Sequence, residues 1–266
     1  MKALKPKSLI GVIALEALPG SPLYGGNDEH ILTHALQDLE QYKEAGVESV
    51  KLENDFDIPY IQPPIPQEAI DLVIKIATEI RDRFDGPIGV QMLEAANLTS
   101  LEIAAKANLD WIRVEGFVYG HIGPEGLVKG SAGELLRLRK KLSCEHIKIF
   151  ADVKKKHSSH AITADLDITD EVRQAELFLV DGIIVTSKFT GIEPIAEDLI
   201  KVRKITKLPL IIGSGMTSDN IEDFFDLADY FIVGSDFRKD GKFLAEMEVD
   251  RLTKFVTKFK RLQARQ

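Results

Sequence analysis

Apolar residues in this chain alternate between short unbroken runs and longer stretches with helical spacing. The runs fall at 9–15, 47–52, 87–93, 111–114, 147–153 and 182–187, and two later ones begin at Pro209 and Ala228. Continuous apolar runs bounded by glycine, proline or polar residues predict strands buried on both faces. Between them the period changes. Asn27 or Asp28 caps a predicted helix in which Ile31, Ala35, Leu39 and Tyr42 share a face, and Gly46 ends it. The segment 66–84 carries Ile70, Val73, Ile74, Ala77 and Ile80 on one stripe. Further helices are predicted over 97–107, 131–142, 167–178, 194–206 and 249–264, with a helix-length segment between the seventh and eighth runs. The stretches 18–26, 115–130 and 154–165 read as loops, the first because it is rich in proline and glycine.

Eight strand–helix units in succession predict parallel strands, because each strand returns through a crossover. The fold class is α/β, a single (β/α)8 TIM barrel with the helices outside, forming one domain over 1–266. The length of 266 residues is close to the roughly 250 typical of such a barrel. An open doubly wound sheet is the rival. It usually carries a GxGxxG turn after its first strand, and no such turn is present here.

Composition narrows the function. Hydrophobic residues at 44% and charged residues at 29% are those of an ordinary globular chain. A net charge of −8 argues against a nucleic-acid partner, whose phosphates need a basic face. No apolar run approaches a membrane span, so no integral membrane association is expected, and a peripheral contact through the last helix is left open. A lone Cys144 rules out a disulfide framework and fits a reducing, cytoplasmic setting. The basic start, Met1 to Lys7, reads as the lead-in to a strand and not as a signal peptide.

In a parallel barrel the active site gathers where the strands end. Those ends here hold Glu16, Glu53, Asn54, Asp55, Gln91, Glu94, Arg113, Glu115 and Asp152. After the fifth and sixth strands come Lys154, Lys156, His157, Thr186, Ser187 and Lys188. The last two strands stop at Gly213-Ser214-Gly215 and Gly234-Ser235. Bare backbone N–H groups and hydroxyls at the seventh and eighth strand ends predict an anion site, with phosphate as the ligand. Asp152 and Glu53 are the candidate acid and base, with Lys156 and His157 as an anion-binding or proton-transferring pair. Asn54, Arg113 and Thr186 complete the expected substrate contacts. Glu53 and Asp152 also have a structural alternative as ion-pair partners of Arg113. His157 and His160 with Asp152 match no strong metal signature. Lys188 lies past its strand, where desolvation would not activate it as a Schiff-base lysine. Trp111 and Cys144 read as packing, and no cofactor is required.

Several of these segments together resemble the BtpA family. They are Leu18-Pro-Gly-Ser-Pro-Leu-Tyr-Gly-Gly26, Glu53-Asn54, Trp111-Ile-Arg-Val114, Ala151-Asp-Val153 with Lys156-His157, Asp181 to Thr186 with Thr190-Gly191, Gly213 to Thr217 with Asn220, Ile232 to Ser235, and Asp240-Gly241. The resemblance runs nearly end to end. It implies a barrel of the ribulose-phosphate-binding type, and its cyanobacterial members are required for photosystem I accumulation at thylakoid membranes. The chain departs from the family pattern at the mouth: Ala14 replaces a histidine, Glu94-Ala-Ala96 an Arg-Asn-Asp segment, and Glu115-Gly116 is altered.

Two functions follow as expectations. One is binding of, or a nucleosidase, lyase or isomerase reaction on, a small phosphorylated sugar- or nucleoside-type ligand. The other is a non-catalytic assembly or stability factor. A homo-oligomer is expected in either case.

Overall fold

The computed structural model describes residues 2–187 and 189–265, so Lys188 lies outside the described residues. The barrel strands are β1 (Ser8–Ala14), β2 (Ser49–Glu53), β3 (Ile88–Gln91), β4 (Trp111–Val114), β5 (Lys148–Val153), β6 (Gly182–Val185), β7 (Leu210–Ile212) and β8 (Tyr230–Val233). All neighbouring strands run parallel, and β1 pairs with both β2 and β8, so the sheet closes on itself. The expected TIM barrel is therefore the observed one.

The helices are α1 (Asp28–Ala45), α2 (Gln67–Arg83), α3 (Asn97–Lys106), α4 (Ala132–Lys141), α5 (Ile168–Leu177), α6 (Ala196–Ile205), α7 (Ile221–Phe224) and α8 (Val249–Gln263). The Asn27 side chain caps α1 and Gly46 ends it in the left-handed region. Asp167 and Asp170 form a capping box on α5. Helix α8 buries Leu252, Phe255, Val256, Phe259 and Leu262, and its phenylalanines pack edge-on to Phe225, Phe231 and Phe237. No described helix is long and apolar enough to cross a membrane.

Two expectations are corrected. The helix between β7 and β8 is only one turn, α7, followed by a 3-10 turn at Phe225–Leu227. The segment 115–130, expected as a loop, contains an antiparallel hairpin of His121–Gly123 and Gly126–Val128. Strands this short carry too little periodicity to register in the sequence.

Side chains alternate along each strand, so the barrel has an outer apolar shell and a separate interior. Leu9, Val50, Val90, Ile112, Ile149, Ile183, Leu210 and Phe231 face the helices. The lower interior is a distinct cluster of Ile10, Val12, Trp111, Phe150, Ile184, Ile211 and Ile232. Two aromatic rings fit among these strands only because glycines flank them. A Cβ on Gly89 would lie 2.3 Å from the Trp111 ring, and one on Gly182 2.7 Å from the Phe150 ring.

Candidate functional site

Two residues beyond the lower layer, the same strand faces turn polar or charged. Trp111 gives way to Arg113, Phe150 to Asp152, and Ile184 to Thr186, while β2 and β3 add Lys51, Glu53 and Gln91. Arg113 Nε and Nη2 donate to the two oxygens of Asp152 at 2.7 and 2.8 Å, and Nη1 reaches the Gly213 carbonyl at 3.3 Å. Lys51 donates to Glu53 and, at 2.9 Å, to Gln91. Burial works to raise the Glu53 carboxyl, but Lys51, Arg113 and Lys156 outweigh it and hold Glu53 below the usual range. Asp55, buried beside it, is pushed well up by burial and by the Glu53 charge. Two neighbouring carboxyls are thus shifted in opposite directions, which is the arrangement acid–base chemistry uses.

Above this layer two cavities open. The first, about 140 Å³, lies between the ends of β7 and β8. Its walls include Gly213, Ser214, Gly215, Thr217, Gly234 and Ser235, with Arg113, Arg238, Arg251 and Lys156 bringing positive charge. Gly215 has φ +83°, and a Cβ there would meet the Ile192 carbonyl at 2.0 Å, so the loop turns this tightly only with glycine. Asn220 accepts from Thr217 N and donates to the Gly215 carbonyl. Asp236 accepts from Ser218 N and from Arg251, tying the two loops to α8. Among the described residues, Ser214 Oγ and Arg238 Nη1 are buried without a hydrogen-bond partner, although Arg238 Nη2 holds Asp38 at 2.7 Å. Thr186 Oγ1, one strand over, is likewise unpartnered.

The second cavity, about 460 Å³, shares Glu53, Asp55, Lys156, Thr190 and Phe243 with the first. Lys155 donates to Glu94 and lies 3.4 Å from Glu115. Burial and the neighbouring Glu115 raise Glu94 to about 9. Burial alone would raise Glu115 too, but Lys155 and a hydrogen bond from Glu94 lower it to about 2. Lys156, brought down to about 8 by burial and by Arg113, donates to Thr190 Oγ1 at 2.9 Å. His157 Nε2 accepts from Thr190 N at 3.2 Å, so its proton sits on Nδ1, and burial and Lys156 keep the ring neutral.

The sequence-predicted residues therefore divide. Glu53, Lys156, Gly213, Ser214, Gly215, Gly234, Ser235 and Arg113 line the first cavity, and His157 lines the second. Asp152 lines neither, since its carboxylate is spent on Arg113; it positions that guanidinium, which is the structural alternative weighed from the sequence. Asn54 also turns away from both cavities. It is fully buried and holds the Leu93 N–H and carbonyl at 2.7 and 3.2 Å. Lys155, Arg238, Arg251 and Asp236 did not stand out from the sequence. Asp55, Glu94 and Glu115 were visible as strand-end carboxylates, and their adjacency across β2, β3 and β4 was the available signal.

Comparison with known proteins places this barrel among relatives. Residues 5–261 match the model of the BtpA family. An uncharacterized mitochondrial protein of Caenorhabditis elegans is 37% identical, covering 93% of this chain and 91% of its own. The photosystem I biogenesis protein BtpA of Synechocystis is 31% identical over 93% and 86%. Among solved structures, the phosphoribosyl anthranilate isomerase of Thermus thermophilus superposes with a TM-score of 0.59, at 10% identity over 96% of this chain and 99% of that one.

Proposed function

This chain belongs to the BtpA family, and from that premise we propose that its barrel mouth binds a small phosphorylated ligand of sugar or nucleoside type and acts on it by proton transfer. The observation that carries the reading is the pair of unsatisfied polar atoms, Ser214 Oγ and Arg238 Nη1, on the glycine-walled first cavity. A buried polar atom left without a partner costs about 1–3 kcal/mol, and phosphate oxygens would satisfy both atoms. The similar Thermus thermophilus barrel is named for a phosphoribosyl compound, which supports the same ligand class.

With phosphate held there, the rest of the ligand extends over Glu53, Asp55 and Lys156. Glu53, held below the usual carboxylate range, accepts a proton, and Asp55, whose carboxyl burial and the Glu53 charge push upward, is the group that donates one. Lys156, titrating near 8, is available as an amine or an ammonium close to neutral pH.

Thermal unfolding against phosphate, ribose 5-phosphate and nucleotides tests this. A ligand at 100 times its Kd adds about 2.7 kcal/mol, which for a chain of this size raises Tm by about 5 °C. Ser214→Ala should weaken phosphate binding about tenfold and leave the unliganded Tm nearly unchanged, because it removes a hydroxyl that has no partner. No stabilisation by any phosphorylated compound at several millimolar would sink the proposal.

The second reading is an assembly factor, favoured by the name of the Synechocystis relative. It predicts that Glu53→Gln and Lys156→Met leave the cellular role intact.

A further inference from the structure

The two cavities meet at shared walls but differ in chemistry. The first sets four basic residues, Arg113, Lys156, Arg238 and Arg251, against Glu53, Asp55 and Asp236. The second is walled mainly by Ile58, Pro59, Tyr60, Leu93, Pro124 and Phe243, and its volume of about 460 Å³ lies within the roughly 300–1,000 Å³ of ligand pockets. At one side stand Glu94, Glu115 and Lys155, each at most 5% exposed.

Glu94 holds its proton and Glu115 has lost its own, so with the Lys155 ammonium the cluster carries no net charge. Glu115 takes a hydrogen bond from Glu94 and is ion-paired with the Lys155 ammonium at 3.4 Å, while its buried Oε2 accepts no hydrogen bond from the described residues. A carboxylate oxygen in that position calls for an N–H or O–H from a ligand. A second sugar would press its hydroxyls against Ile58, Pro59 and Leu93 without partners, and a second phosphate would meet Glu115 and Glu125, with Lys155 already paired to Glu94 and Glu115.

We propose that the second cavity is a subsite for a planar heterocycle bearing an amino or amide N–H, donated to Glu115 and joined to the phosphorylated sugar held in the first. This rests on the function proposed above and adds the chemistry of the ligand's other end. The apolar walls cover the ring faces, and the Glu115 oxygen reads its edge.

Isothermal titration calorimetry on the full chain tests it with ribose 5-phosphate, AMP, CMP and purine riboside 5′-monophosphate, which lacks the amino group. AMP or CMP should bind at least tenfold more tightly than ribose 5-phosphate, and the purine riboside should lose several-fold of that gain. Glu115→Gln should cut the advantage severalfold, and Ile58→Trp should abolish it by filling the cavity. Both variants should keep the ribose 5-phosphate affinity. That retained affinity also reports that each variant is folded. If ribose 5-phosphate binds and the nucleotides gain nothing, the subsite is wrong and the phosphate site stands. Nucleotide affinity unchanged in both variants would also overturn it. If no phosphorylated compound binds, both proposals fall together.

Discussion

The lower and upper layers of the barrel interior are made by the same strand faces, two residues apart, and they have opposite chemistry. In the lower layer Trp111 and Phe150 lie with ring centroids 5.5 Å apart among isoleucines. In the upper layer Arg113 and Asp152 form a bidentate pair beside Lys51, Glu53 and Gln91. The lower layer is held by volume: its pieces need only fill the space. The upper layer is held by partnership, since a buried charge is tolerated only where another group answers it. A barrel can therefore keep its fold in one layer and vary its chemistry in the next, and the unanswered polar atoms lie where the proposed ligand would sit.

Substitutions in the two layers should fail differently. Trp111→Ala opens a cavity in the lower layer and should cost about 3–5 kcal/mol by urea denaturation. Trp111→Phe should cost much less, because it also removes an indole N–H that has no acceptor. Asp152→Ala keeps the volume of the lower layer but strands Arg113, and should cost about 3 kcal/mol or more. The double variant Arg113→Met with Asp152→Leu should recover most of that stability without recovering ligand binding. Recovery of both would show that the upper layer is only packing.

The smallest expected effect concerns pH. Glu94 titrates at about 9, above its ordinary value, so the folded state keeps a proton that the unfolded chain releases. That contribution is complete below about pH 4.5 and is lost as pH rises towards 9. Glu94→Gln mimics the protonated form beside Glu115 and Lys155, and should flatten the stability profile. The gain over the parent should grow between pH 5 and 7.5, below the main titration of Lys156, to on the order of 1–3 kcal/mol. Parallel profiles for the two proteins would refute the split between Glu94 and Glu115.

Much of the frame was legible in the chain. Asn27, Gly46 and Asp167 bound their helices as capping chemistry requires. The apolar runs became barrel strands because burial on both faces demands such runs. The glycine-serine endings of β7 and β8 came to the same cavity because strand ends in a parallel barrel converge. Legibility stopped at the side chains of neighbouring residues. Lys154, Lys155 and Lys156 are consecutive, and nothing in the order of three lysines says that Lys155 turns to Glu94 and Glu115 while Lys156 lines both cavities. Nothing in the sequence singles out Arg238 after the last strand, yet it pairs with Asp38 of α1, 200 positions away.

What the sequence determined by itself was periodicity: which residues form strands and helices, and hence a closed parallel barrel with a polar mouth. That follows from local rules, the alternation of a strand, the turn of a helix and the conformational range of glycine. What only the tertiary structure decided was pairing. Asp152 went to Arg113, Asn54 to the β3 loop, and Ser214 Oγ to no partner among the described residues. A charge finds its partner across space and not along the chain, so the division of the mouth into satisfied and unsatisfied groups existed only once the barrel had closed.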